Sequence, residues 1–231
     1  MSGITPPPPP PPSTPPPSTP PPVGGQPFDA GEAISYGWKG LTKYLGPLLL
    51  IALIVAVISI ASSVVGYFFD SLLLQLLWNV VTTIISLVIG MGLIRAALAV
   101  VDGRVPEVGM LFRTENFIPY LLASILVGLS VGIGLVLCII PGLILAFLFA
   151  FYGYAIVDGR TSDGIESMKI SWNLVKENVG QLVLLFFLLL LINIVGAILC
   201  GIGLLFTYPL TAVALAYAWR RLSGGPIAAL A

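Results

Sequence analysis

Histidine is absent from the 231 residues, cysteine occurs twice, and charged side chains make up only 9% of the chain. The first absence removes the commonest general base, proton relay and metal ligand together. Two cysteines, Cys138 and Cys200, are too few for a metal cage and are not in a CxxC arrangement. Either could serve as a small apolar residue, or the two could pair in an oxidising compartment. A soluble domain carries about 25% charged residues, so a chain this poor in them calls for a solvent other than water. Ten basic residues balance ten acidic ones, and a net charge of zero offers nothing to nucleic acid. These shortages leave no catalytic, cofactor-binding or metal-binding residue to assign, and the chain reads as a non-enzyme.

What is there instead is apolar length, with 58% of the residues hydrophobic. Six apolar runs follow one another, at 47–69, 76–101, 119–140, 142–157, 181–200 and 203–219. A helix of about 20 residues crosses a hydrocarbon core of roughly 30 Å. The expected fold is therefore all-α, a polytopic membrane protein of six transmembrane helices. In that arrangement all ten basic residues, from Lys39 to Arg221, fall on one side, while the opposite loops hold only Asp70. By the positive-inside rule both termini are expected in the cytoplasm, with the protein multi-pass in the cell membrane.

Residues 1–28 form a proline-rich arm, with thirteen of the twenty prolines between Pro6 and Pro22. Proline fixes φ and lacks an N–H, so the arm is expected to hold polyproline II or remain disordered. It serves as a spacer, or as a PxxP-type ligand for a cytoplasmic partner. The start, MSGITPPPPPPP, has no basic n-region, so the first apolar helix is expected to act as the insertion signal. Residues 29–222 make the transmembrane domain and 223–231 a short C-terminal tail.

The membrane domain reads as built from repeats. "DAGEAISYGWKGLTKYLGP", from Asp29, aligns with "DGIESMKISWNLVKENVGQ", from Asp163, so that Asp29, Glu32, Trp38 and Gly46 fall on Asp163, Glu166, Trp172 and Gly180. "GLVLC" ending at Cys138 faces "GAILC" ending at Cys200, and "VDGR" occurs at 101–104 and 157–160. Three units are expected, each a segment on the basic side followed by a hairpin, with VPEVGMLFRTENFIP as the shorter middle segment. The segments read as amphipathic helices lying along the headgroup boundary. Asp29 and Asp163 are their N-caps, with Glu32 and Glu166 placed for a capping box, and Gly46 and Gly180 close them. Ile34, Trp38, Leu41 and Leu45 form one apolar stripe, and Ile165, Met168, Trp172, Val175 and Val179 the other. Trp38, Lys39, Lys43, Trp172 and Lys176 are the expected interfacial anchors.

Within the spans, Arg95 is expected to snorkel to the basic side, and Asn79 and Asn193 to bond between helices. Gly128 and Gly132 form a GxxxG for close helix packing, inside one chain or between two copies. Pro209 is expected to kink the last span.

The stretch "IIPGLILAFLFAFYGYAIVDGRTSDGIESMKISWNLVKENVG" resembles a pattern shared by a loose group of bacterial six-helix integral membrane proteins. The group includes the membrane domain found beside glycerophosphoryl diester phosphodiesterases. Pro141-Gly142, Asp158 and Ser171-Trp172 occupy the places of its motif. The resemblance implies an inner-membrane location, and it carries over no phosphodiesterase chemistry, which belongs to a separate soluble domain. The function expected is the tethering or organising of cytoplasmic partners through the arm and the surface helices. The alternative is a small transporter or channel for an apolar or lipid-like solute.

Overall fold

The computed structural model describes residues 28–199 and 201–230. Expectations that fall on the proline arm, and on any pairing with Cys200, lie outside these residues. The described chain is helical, without strands. After Asp29, whose carboxylate accepts the Glu32 N–H at 2.9 Å, α1 runs Ala30–Lys43. An antiparallel pair follows, α2 (Leu45–Tyr67) and α3 (Leu72–Val101), turned at Asp70. A short 3₁₀ turn, Val108–Phe112, leads to α4 (Phe117–Leu137), α5 (Ile139–Leu148) and α6 (Tyr152–Val157). Next come α7 (Gly164–Glu177), α8 (Val179–Ile198) and α9 (Leu204–Leu222).

Five segments are long and apolar enough to cross a membrane: Leu45–Tyr67, Leu72–Val101, Phe117–Leu137, Ile139–Val157 and Val179–Ile198. The sixth expected run is also a helix, α9, but a different kind. It packs against α1, α2, α3 and α8, and its Val213, Ala214, Ala216, Ala218 and Trp219 are fully buried. Sheathed by others along its C-terminal half, it can carry the Arg220-Arg221 pair there, while Leu204, Phe206 and Tyr208 near its start are exposed. It forms the axis of the main core, where Trp219 stacks on Phe151 with ring centroids 6.3 Å apart.

The fourth run is broken. Its helix stops at Leu148 and restarts at Tyr152. Breaking a helix frees backbone groups that hydrocarbon cannot satisfy, so they need a protein partner. Ser171 of α7 supplies it. Its hydroxyl donates to Leu148 O at 2.8 Å and accepts from Phe151 N at 3.0 Å, bridging the gap.

Tight turns bring α4 against α5 and α8 against α9 through glycine. A Cβ on Gly134 would lie 2.9 Å from Gly142 Cα, and one on Gly196 would lie 2.6 Å from Thr207 Oγ1. Gly134 and Gly196 are the first residues of the two matching pentapeptides.

Several expectations need correction. The middle basic-side segment is not an amphipathic helix but the 3₁₀ turn, seated on α3 where Gly92 leaves no room for a side chain beside Leu111. Gly46 and Gly180 do not close α1 and α7; each is the second residue of the next helix. Of the two packings expected of Gly128 and Gly132, the one inside the chain is not made, since a Cβ on either would meet open space, and the one between two copies stands as an expectation. Asn193 does join two helices, donating to Thr211 Oγ1 at 2.8 Å and accepting from Thr207 at 3.0 Å. Asn79 instead donates to Gln75 O of its own helix.

Candidate functional site

The charged residues converge at one end of the bundle. Each VDGR turn ends a helix: Asp102 follows α3 and Asp158 follows α6. In both, glycine takes the left-handed conformation, φ +77° at Gly103 and +74° at Gly159, which a side chain would strain. The following N–H then caps the helix, from Arg104 to Ala99 O at 2.8 Å and from Arg160 to Ala155 O at 2.9 Å. The two turns are thus the same device, and it aims both aspartates at α9.

Arg220 lies between them. Its Nη1 is 2.7 Å from Asp158 Oδ1, and its Nη2 is 2.9 Å from Asp102 Oδ1. Trp219 donates its indole N–H to Asp158 Oδ2 at 3.0 Å. Asp158 and Arg220 are nearly buried, whereas Arg104 and Arg160 pair with their own aspartates from the exposed rim. A buried Arg held by two carboxylates exploits the planar fork of guanidinium, which lysine cannot reproduce. Arg95 reaches this end as expected, donating to the carbonyls of Arg113 and Glu115. Arg95, Asp102, Arg104, Asp158 and Arg220 line a polar basin of about 280 Å³.

The C-terminal segment docks beside the basin. Ala228 N donates to Val101 O at 2.8 Å, and Tyr36 of α1 donates its hydroxyl to Ala228 O at 2.9 Å. Burial, with smaller contributions from Tyr44 and Asp102, pushes the Tyr36 phenol up to about 12.

The two surface helices sit differently from the sequence expectation. In α1 the buried residues are Ala30, Ala33, Gly37, Gly40 and Leu41, while Trp38 is 59% exposed alongside exposed Lys39 and Lys43. Leu41, expected on the same face as Trp38, is inside the protein. In α7 the buried set is Ser167, Ser171, Leu174 and Val175, with Trp172 39% exposed and Lys176 exposed. The expected anchors therefore share an outward aspect, but each helix grips the bundle through small or polar residues. Small side chains let backbones approach closely. A Cβ on Gly37 would stand 2.9 Å from Leu210 O. The N-caps fall where expected, on Asp29 and Asp163; Glu166, however, accepts from Thr161 at 2.7 Å, outside the cap.

Two further cavities flank the spans. One, about 600 Å³, lies between α4 and α7 and is lined by Leu126, Phe149, Met168, Lys169 and Trp172 among others. The other, about 480 Å³, lies between α2 and α3 near the Asp70 turn. Among the described residues, no group of three His, Cys, Asp or Glu is placed to hold a metal.

A family model described as a domain of unknown function, DUF7847, matches residues 67–220. The chain belongs to that family. The matched stretch opens on the last residue of α2 and closes on Arg220, so the family's span contains both VDGR turns and the arginine they hold. Uncharacterized proteins of Mycobacterium tuberculosis and Mycobacterium bovis are 35% identical to this chain over 136 residues. That covers 59% of this chain and 42% of theirs, so the chain spans less than half the length of the curated relatives it matches. No solved structure matches.

The places of the motif seen in the sequence now have structural tasks. Gly142 meets Gly134 in the α4–α5 hairpin, Asp158 binds Arg220 and Trp219, and Ser171 bridges the broken fourth run. The sequence marks these residues but not their partners, and in it VDGR reads as a repeat, with no sign that both copies serve one arginine.

Proposed function

We propose that the protein is a non-enzymatic integral membrane protein of six spans that organises cytoplasmic partners at its basic face. α9 is the sixth span, its C-terminal half shielded from lipid by the other helices. The single observation that carries this reading is the Asp102–Arg220–Asp158 junction. It ties α3, α6 and α9 into one platform at the end where the basic residues gather. Trp38, Lys39, Lys43, Trp172 and Lys176 project from that platform, chemically suited to hold it at headgroup level. The apolar surface supports a membrane setting. Only 17% of the most apolar window of α2, and the same share of α4, is buried inside the protein. Such faces would associate in water.

Photo-crosslinkers placed at Lys39 and Lys176 in cells test the proposal. Protein adducts from both positions, and none from Val57 on the apolar flank of α2, are expected. Lipid adducts alone at every position would overturn it. A second reading, passage of a lipid-like solute, is favoured by the polar cavity between α2 and α3.

A further inference from the structure

The α2–α3 cavity is polar where lipid-embedded helices are normally apolar. α2 contributes Ser59, Ser62 and Ser63, and α3 contributes Gln75, Asn79 and Thr82. Their spacings of three and four residues put each set on one face of its helix. Ser86 and Trp78 add to the same lining, and none of the lining residues carries a charge. From Leu72 to Ser86 a helix rises about 21 Å, so the cleft reaches from the Asp70 end to beyond the middle of a core of roughly 30 Å.

The helices satisfy this face only in part. Ser63 donates to Ser59 O at 3.0 Å, Thr82 to Asn79 O at 3.1 Å, and Asn79 Nδ2 to Gln75 O at 2.9 Å. Trp78 Nε1 crosses to Ser62 O at 3.0 Å and pins the two helices together. The amide oxygen of Asn79 and the hydroxyl lone pairs are left to be met by something other than helix backbone. Unmet polar groups at this depth are costly.

We propose that the cleft binds the uncharged, hydroxyl-bearing headgroup of a lipid, entering sideways between α2 and α3. Hydroxyls and amides both donate and accept, which matches a glycerol or sugar head. No cation is present in the lining to select a phosphate, and no carboxylate to select a metal ion. Ile60, Val64, Leu76 and Val80 are exposed beside the cleft and offer a bed for acyl chains. A second copy of this chain is a poorer occupant. A two-fold contact sets the same patch against itself, and two facing hollows of about 480 Å³ would leave a void. The inference is independent of the scaffold reading and stands if that reading fails.

Native mass spectrometry of the purified full-length protein provides the test. The probes are a monoglycosyl diacylglycerol and a phosphatidylglycerol with identical chains. The neutral lipid should be retained at least about fivefold better, and both Asn79→Leu and Thr82→Val should remove the preference. These substitutions make the cleft more apolar, so insertion should be preserved; Ser130→Ala, in the α4–α7 cavity, should leave the preference intact. Equal retention of the two lipids would overturn the proposal, as would a preference unmoved by the variants. A Ser63→Cys variant on a Cys138→Ser, Cys200→Ser background adds an independent outcome. Efficient disulfide-linked dimers in membranes would assign the cleft to a second copy and overturn the lipid site.

Discussion

Arg220 illustrates how unequal the charged residues are. Removing it leaves Asp102 and Asp158 facing each other with only the rim arginines Arg104 and Arg160 to offset them, and breaking a buried pair costs up to about 3–5 kcal/mol. Arg104 is exposed, and a surface pair contributes roughly 0–1 kcal/mol. Arg220→Ala should therefore lower the thermal midpoint of the purified protein markedly, and Arg104→Ala barely. Arg220→Lys should fall between them, since it keeps the charge but loses the fork. Equal effects of Arg220→Ala and Arg104→Ala would contradict the geometry. Tyr36 makes a second, pH-dependent prediction. Its phenol is raised in the folded state, mainly by burial, from the ordinary value near 10 to about 12. Below pH 10 both folded and unfolded chains keep the proton and the contact with Ala228 is intact. Between about pH 10 and 12 the unfolded chain loses the proton first, so stability falls as pH rises, then levels off above 12. The residue is partly exposed, which keeps the loss small. Thermal midpoints from pH 8 to 12 should decline less steeply for Tyr36→Phe than for the parent. Parallel slopes would remove Tyr36 from the account.

Among the elements, α1 and α7 show where side-chain patterning informs and where it misleads. Asp29 and Asp163 were legible as N-caps because capping depends on neighbours two or three residues away. The buried faces were not legible, because large apolar side chains at helical spacing normally mark the side that leaves water. Beside a membrane, burial in protein and burial in lipid look alike in that pattern. The distinction is made by residues with no side chain: Gly37 admits the backbone of α9, and Gly40 admits the side chains of Val213 and Val100. Gly37→Ala should accordingly push α1 from Leu210, an overpacking cost of about 1–3 kcal/mol, whereas Trp38→Ala should cost less in detergent. Differential scanning fluorimetry of the two variants decides the order. The break between α5 and α6 was invisible for a related reason. A continuous apolar run hides a backbone gap whose partner, Ser171, lies 20 residues further on. Ser171→Ala would leave Leu148 O and Phe151 N unmet, at about 1–3 kcal/mol for each group desolvated without a partner. Amide exchange at Phe151 should quicken in that variant, and unchanged protection would show that the bridge is dispensable.

For the whole molecule, the asymmetry of charge and the asymmetry of packing coincide. The contacts that knit distant segments together lie at the basic end: Arg220 to both aspartates, Arg160 to Ser223, Tyr44 to Gly103 and Tyr36 to Ala228. Toward the Asp70 turn, α2 and α3 leave the bundle and enclose the polar cleft with little besides each other. A chain held firmly at one end and spread at the other would suit the proposed platform, with partners on one side and a lipid on the other. The sense proposed for it in the membrane follows from the same ten basic residues, by the rule that loops carrying Lys and Arg stay in the cytoplasm. Reporter fusions after Arg221 should read cytoplasmic, and an epitope inserted beside Asp70 should be reached by a membrane-impermeant label from outside. Because Arg220 is already committed to Asp102 and Asp158, neutralising it should destabilise the fold without inverting it. Orientation should respond instead to the exposed charges Lys39, Lys43, Lys169 and Lys176, removed together. Inversion by the Arg220 variant alone would mean that the junction, and not the summed surface charge, decides which face meets the cytoplasm.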